Sequence, residues 1–246
     1  MSNQRVLFWR GCTLRNITPS TTTKIEYILK KAGLSVITMS EEGCCGYPLL
    51  LAGYEEKFRE NASKVVEKIS SIEHDVLVTH CPGCLRTFTQ FYPQGALSPK
   101  ILHTTQLLWQ LIHEKAIELK KRVDMRVSYH DPCDLGRHMG IYEEPRKILK
   151  SIPGVILLEL PEISTGKYSR CCGGGGLLRL LLPPLASQIA VDRIIEDMAG
   201  LDVQAITTAC PTCVKSLMDA ATVVEFTQGT SLRVLDVVDL VYDALG

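Results

Sequence analysis

The sequence predicts an α/β protein built from two similar halves, each with a short parallel sheet and its own five cysteines. Three observations predict it. Short apolar runs of strand character alternate with stretches whose apolar residues recur at helical spacing. All ten cysteines fall into two copies of one spacing pattern. No apolar run approaches the roughly 20 residues a membrane helix needs; the most apolar stretch, 177–186, is broken by Arg179, Pro183 and Pro184.

The elements follow in order. Arg5–Trp9 is a short apolar run of strand type. Residues 21–31 carry Ile25, Ile28 and Leu29 at helical spacing, with Gly33 as a stop. Residues 35–38 read as a second strand, Glu55–Ser70 as an amphipathic helix with Phe58, Val65, Val66 and Ile69, and 75–79 as a third strand. The second half repeats this with strands at 126–129, 155–158 and 203–208 and helices at 145–151 and 185–198. Residues 101–112 and 234–245 correspond as a helical pattern. The charged stretch 115–126 lacks an apolar core run, so the boundary is placed near 116–125, giving domains 1–118 and 119–246.

Composition sets outer bounds. The 246 residues hold 27 Lys+Arg and 27 Asp+Glu, a formal net charge of zero, which argues against a general reader of nucleic-acid backbones. A hydrophobic share of 46% with 22% charged residues excludes bulk disorder. The N-terminus lacks the apolar core of a secretory signal, so a cytoplasmic location is expected.

Ten cysteines are too many for scattered core residues, and a reducing cytoplasm gives little reason to keep them as disulfides. Their spacing points to metal. Cys12 is followed after 31 residues by the pair Cys44-Cys45, and after 35 more by Cys81-Pro-Gly-Cys84. Cys133 is followed after 37 residues by Cys171-Cys172, and after 37 more by Cys210-Pro-Thr-Cys213. The flanks agree: residues 5–14 align with 126–135, and Gly46 and Gly173 each follow their pair. An offset of about 120–130 residues marks a duplicated unit. Thiolate is a soft ligand suited to zinc, copper(I) and iron–sulfur clusters, and a Cys-X-X-Cys puts two sulfurs on one turn. Zinc and a cubane cluster each take four ligands, so five per unit exceeds both. For an adjacent pair to serve one centre the backbone must turn sharply. Gly46, Gly173 and Gly174 supply that freedom, and their N–H groups are candidate donors to sulfur. The alternative for the four-glycine run 173–176 is a flexible loop.

The motif Cys, Cys-Cys-Gly, Cys-Pro-X-Cys resembles the cysteine-rich CCG domain. Two such domains in tandem are similar to the B subunit of heterodisulfide reductase, and the resemblance runs from Cys12 to Cys213. It implies two pseudo-symmetric Rossmann-like halves. It implies two non-cubane 4Fe–4S clusters, one on Cys12, Cys44, Cys45, Cys81 and Cys84, the other on Cys133, Cys171, Cys172, Cys210 and Cys213. It further implies clusters facing each other across a substrate gap, where a disulfide is cleaved reductively or formed. Both motifs are complete, which favours this branch over the related lactate-, glycolate- and succinate-linked iron–sulfur subunits, where the domain relays electrons toward a quinone. The chain is short for the methanogen subunit. The implied partners are two subunits resembling their counterparts in that enzyme, one ferredoxin-like (its C subunit) and one flavin-bearing (its A subunit), plus a small thiol or disulfide substrate. No dinucleotide fingerprint follows the first strand, so no flavin or nicotinamide is expected in this chain.

Other residues carry weaker readings. His80 and His130, taken to end corresponding strands, are candidates to give protons to a leaving thiolate, or are hydrogen-bonded strand-end histidines. Arg10, Arg15, Arg137, Lys167 and Arg170 flank the cysteine loops as anion binders for a thiol coenzyme, or as solvated surface. Trp9 and Tyr47 lie near cysteine loops as shields against water.

Overall fold

The structure is a computed structural model that describes residues 4–98, 100–198 and 200–246. The chain divides into two compact units, Met1–Ile117 and Glu118–Gly246.

The first unit runs β1 (Arg5–Trp9), α1 (Gly11–Asn16), α2 (Pro19–Lys31), β2 (Ser35–Ile37), α3 (Tyr47–Leu51), α4 (Glu55–Ser70), β3 (Val76–Thr79), α5 (Pro82–Arg86), β4 (Ile101–His103) and α6 (Thr104–His113). A single π-helical turn, Thr87–Phe91, extends α5. The second unit runs β5 (Met125–His130), α7 (Glu143–Ser151), β6 (Val155–Leu157), α8 (Leu178–Leu181), α9 (Pro183–Asp197), β7 (Ala205–Thr208), α10 (Pro211–Gln228), β8 (Arg233–Asp236) and α11 (Val237–Ala244). Two 3-10 turns, Glu162–Ser164 and Gly166–Tyr168, lie between β6 and α8.

Each unit holds one four-stranded, all-parallel sheet, ordered β2-β1-β3-β4 and β6-β5-β7-β8. The fold class is as the sequence predicts, but helices α1, α3, α5, α8 and the 18-residue α10 are additions to the predicted elements, as are two strands. Residues 101–112 and 234–245 are not helical throughout; each opens with a short strand that pairs with the sheet before the helix begins. His103 and Asp236 cap those helices, each accepting from a backbone N–H of the first turn.

The central strands β1, β3 and β7 are buried along almost their whole length, as parallel strands covered on both faces must be. Helix α4 shows how the cover is made. Phe58, Ala62, Val65 and Ile69 form one apolar stripe against Leu7, Leu77 and Phe88. Glu55 and Glu56 in its first turn and Lys68 in its last suit the helix dipole. Helix α9 starts on Pro183 and Pro184, where the missing N–H costs nothing, and buries Ala186, Ala190 and Ile194.

In this strand order the chain reverses its direction of travel between β1 and β3, and between β5 and β7. The crevice beyond the carboxyl ends of such a strand pair is where open α/β sheets bind ligands. Cys12 and Cys81 follow β1 and β3; Cys133 and Cys210 follow β5 and β7. Among the described residues no helix is long and apolar enough to cross a membrane.

Candidate metal centres

The cysteines converge within each unit. Cys12 lies in α1, Cys44 and Cys45 in the loop after β2, Cys81 caps α5 and Cys84 lies inside it. Pro82 starts α5 and Pro211 starts α10, so each Cys-Pro-X-Cys places its sulfurs at the cap and one turn in. Cys45 Sγ is 3.4 Å from Cys84 Sγ, and Cys172 Sγ is 3.3 Å from Cys213 Sγ. The thiols influence one another's protonation in the same order in both units, Cys12 with Cys44, Cys45, Cys84 and Cys81, and Cys133 with Cys171, Cys172, Cys213 and Cys210. All ten are free thiols.

Sharing protons along these chains splits the thiols. Cys45 is pushed down by thiol donors Cys44 and Cys84, and Cys171 by Cys133 and Cys172. Cys84 is pushed up by Cys45, Cys81 and burial, and Cys213 by Cys172, Cys210 and burial. Five thiolates this close cannot ionise together without a positive core between them. A soft, five-sulfur donor set fits an iron–sulfur cluster and exceeds the tetrahedral need of a structural zinc.

The glycines hold the adjacent pairs in their turn. Gly46 has φ +84° and Gly173 φ +71°, left-handed values that a side chain disfavours. Gly46 N–H donates to Cys44 Sγ at 3.4 Å, Gly173 N–H to Cys171 Sγ at 3.3 Å and Gly174 N–H to Cys172 Sγ at 3.4 Å. A Cβ on Gly173 would lie 2.3 Å from the Ala186 carbonyl oxygen, whereas Gly175 and Gly176 face open space. The four-glycine run is therefore packed at its start and open at its end. The pair's carbonyls are clamped as well. Asn61 Nδ2 donates to the Cys44 carbonyl at 2.9 Å, Tyr92 Oη to that of Cys45 at 3.0 Å and Ser216 Oγ to that of Cys172 at 2.7 Å.

Buried charge ties the loops together. Glu42, fully buried, accepts from Arg10 Nε at 3.0 Å and from Gly11 N–H, joining the Cys12 and Cys44 loops. In the second unit Arg146 forks onto Asp131 at 2.6 and 2.8 Å and onto Glu159 at 2.9 and 3.1 Å. Asp131 also accepts from Gly166 N–H at 2.8 Å, and its carbonyl accepts from Ser169 Oγ at 3.1 Å. Arg193 and Arg170 both pair with the buried Asp197. No motif marks Glu42, Asp131, Arg146, Arg193 or Asp197 in the sequence, because a clamp between distant loops has no local spacing.

Four of the five basic residues that read as anion binders or surface are structural ties. Arg10 bonds Glu42 and the Met39 carbonyl, and Arg15 the Gly43 carbonyl at 2.8 Å. Arg137 bonds the Ser169 carbonyl at 2.6 Å, and Arg170 bonds Glu196 and Asp197. Lys167 lies over the Tyr168 ring. Tyr47 accepts from Arg86 at 2.9 Å.

His80 and His130 do not end corresponding strands. The registers β1–β3 and β5–β7 place His130 opposite Thr208 and Trp9 opposite Thr79, so His130 corresponds to Trp9. His80 follows β3, stacks on His103 at 5.1 Å, and its carbonyl bonds His103 Nε2 at 2.9 Å. His130 is buried with Cys172 and Cys213; one of its ring nitrogens and the two sulfurs lie within 4.8 Å of one another. Its pKa is pushed down to about 3, by burial first and then by Arg193.

Fold and site together define a duplicated α/β protein whose halves each gather five thiols at the crevice of a parallel sheet. A family profile described as the cysteine-rich domain, CCG, matches residues 6–89 and 127–218, and the chain belongs to that family. It is 32% identical over 98% of its length to the D subunit of the dihydromethanophenazine:CoB–CoM heterodisulfide reductase of Methanosarcina acetivorans, spanning 59% of that protein. It is 29% identical over 97% of its length to the B subunit of the fumarate reductase (CoM/CoB) of Methanothermobacter marburgensis, spanning 46% of it. It is 29% identical over 89% of its length to the EtfAB:quinone oxidoreductase of Syntrophomonas wolfei, spanning 31% of it. The chain thus spans about half or less of two of these relatives and under two thirds of the other.

Proposed function

We propose that the chain is an iron–sulfur subunit of an oxidoreductase that reductively cleaves, or in reverse forms, a disulfide. One non-cubane 4Fe–4S cluster would be held by Cys12, Cys44, Cys45, Cys81 and Cys84, and a second by Cys133, Cys171, Cys172, Cys210 and Cys213. The observation that carries this reading is the matching sulfur contact in each unit, Cys45 with Cys84 and Cys172 with Cys213, among five free thiols that follow the strand ends at the ligand crevice. Such clusters supply single electrons, two of which a disulfide needs to become two thiolates.

The chain's own residues do the rest. The loop clamps of Glu42 and Asp131 hold the first cysteine of each unit, and the glycine N–H groups offset negative charge on sulfur. Electrons would arrive from a ferredoxin-like partner served by a flavin protein. Two relatives, one named as the D subunit of a heterodisulfide reductase and one as the B subunit of a CoM/CoB fumarate reductase, support thiol chemistry. The quinone-oxidoreductase relative supports a second reading, an electron relay with no substrate of its own.

Anaerobically purified protein should contain about eight iron and eight acid-labile sulfide per chain. Titration with a disulfide and its thiols, followed by paramagnetic resonance, separates the two readings. A thiol-dependent change in the signal supports substrate binding at a centre, and an unchanged signal supports the relay. An iron-free protein holding zinc overturns both.

A further inference from the structure

Each unit carries one aromatic N–H at the same place, and neither has a hydrogen-bond partner among the described residues. Trp9 ends β1 and His130 ends β5, at matching registers and three residues before the first cysteine of each unit. Trp9 is fully buried, and its Nε1 has no partner. It packs in the cluster that includes Cys45 and Cys84. A Cβ added at Gly11 would meet Cys84 Sγ at 3.2 Å and Trp9 Nε1 at 3.7 Å, so sulfur and indole nitrogen border one point. An edge-to-face contact with Phe88, at 5.1 Å, holds the ring.

His130 reaches the same condition by a different route. Arg193 Nε, which can only donate, points at His130 Nδ1 at 3.3 Å. Nδ1 must therefore accept, and the ring proton sits on Nε2. That Nε2 is buried and has no partner, while the imidazole lies with the Cys172 and Cys213 sulfurs. A buried N–H left without an acceptor costs about 1–3 kcal/mol. Two such costs at one repeated position mark a missing acceptor in each unit.

We propose that Trp9 Nε1–H and His130 Nε2–H are the side-chain donors to the sulfur of the two centres, one per unit, and that they raise the reduction potential of each. This rests on the cluster reading above. Donors aimed at sulfur favour the reduced, more negative state of a cluster. Indole can only donate, so the first centre's donor is permanent. The second centre's donor depends on Arg193 holding the imidazole tautomer, so the two centres are tuned by different means.

The first readout leaves both proposed donors in place. Protein labelled with 15N in the indole, in a Trp109→Phe background that leaves Trp9 as the single tryptophan, should show a weak 15N coupling to one paramagnetic centre by pulsed resonance. Label in histidine should show coupling to the other, lost in His130→Phe. In anaerobic redox titration Trp9→Phe should lower one centre's potential and leave the other in place. We expect about a tenfold change in the oxidised-to-reduced ratio at fixed poise, equivalent to about 59 mV for one electron. His130→Phe should lower the other centre, and His130→Gln, which keeps an N–H, should recover part of it. Full iron and sulfide with no nitrogen coupling, the indole N–H resting on the Phe88 face, overturns the donor assignment alone. Absence of iron overturns the cluster reading with it.

Discussion

Arg10 and Asp131 stand at the same position of the two units, one residue beyond the central strand and two before the first cysteine, and carry opposite charge. Each is neutralised from a distant segment, Arg10 by the buried Glu42 and Asp131 by the buried Arg146. The duplicated units thus keep the tie and exchange its polarity. What the site needs is a bridge between loops, and either sign of charge at the strand end can anchor one.

Breaking a tie should empty one centre and spare the other. Glu42→Ala leaves Arg10 and Gly11 N–H without their acceptor, and removing one member of a buried pair costs about 3 kcal/mol. Asp131→Ala leaves Gly166 N–H without its acceptor and takes from Arg146 the more buried of its two carboxylates, Glu159 remaining. Iron analysis should give about half the parent content for either variant, from about eight per chain, and nearly none for the double variant. Full iron in Glu42→Ala would refute the role of the tie.

Gly173 should not tolerate a methyl group, and Gly175 should. Gly173→Ala meets the Ala186 carbonyl oxygen at 2.3 Å and must also hold a φ of +71°. The conformation alone costs about 1 kcal/mol and the collision adds more. Gly175→Ala has nothing within 4 Å and a φ outside the left-handed region. Thermal unfolding should therefore drop clearly for the first variant and stay within error for the second.

Metal removal should turn the closest thiols into disulfides. Cys45 with Cys84 and Cys172 with Cys213 lie 3.4 and 3.3 Å apart, so a small shift reaches the S–S bond length of about 2.05 Å. Chelator-treated protein exposed to air should give these two cross-linked peptides first by mass spectrometry. Cross-links from Cys12 or Cys133 should appear later. The reverse order would mean that the thiol chains rearrange once metal leaves.

Stability should fall in mild acid through His103. Burial, and then the neighbouring His80, push its pKa well below the usual histidine value. The folded chain keeps this ring neutral while the unfolded chain takes up a proton below about pH 6.5. The unfolded state then binds more protons, so the contribution is full above that pH and is lost as pH falls toward the folded value. His103→Asn keeps a side chain able to cap α6 and removes the titration. Urea midpoints between pH 7.5 and 5.5 should shift less in this variant than in the parent; equal shifts would exclude His103 as a source.

Much of this is legible in the residues. The strand Arg5–Trp9 and the helix Glu55–Ser70 have the bounds their apolar patterns predict, because five buried residues or four turns are long enough for a period to speak. The strands Ile101–His103 and Arg233–Asp236 read in the sequence as the start of helices. They are three and four residues long and run into a helix with no break, so only pairing with β3 and β7 reveals them. The alignment of residues 5–14 with 126–135 already sets Trp9 against His130, and the sheet register agrees; pairing His80 with His130 as strand-end histidines overlooks that His80 follows the third strand of its unit and His130 ends the first.

By itself the sequence determined which atoms are offered and how often: ten sulfurs in two matching patterns, turning glycines beside them, and an α/β alternation to carry them. Spacing is a property of the chain, so duplication and ligand type are written along it. The tertiary structure decided which arginines are ties, which carboxylates bridge loops, and which ring N–H groups are left buried without an acceptor. Those properties depend on partners tens of residues apart and on exclusion of water, and neither exists until the sheets and their covering helices have packed.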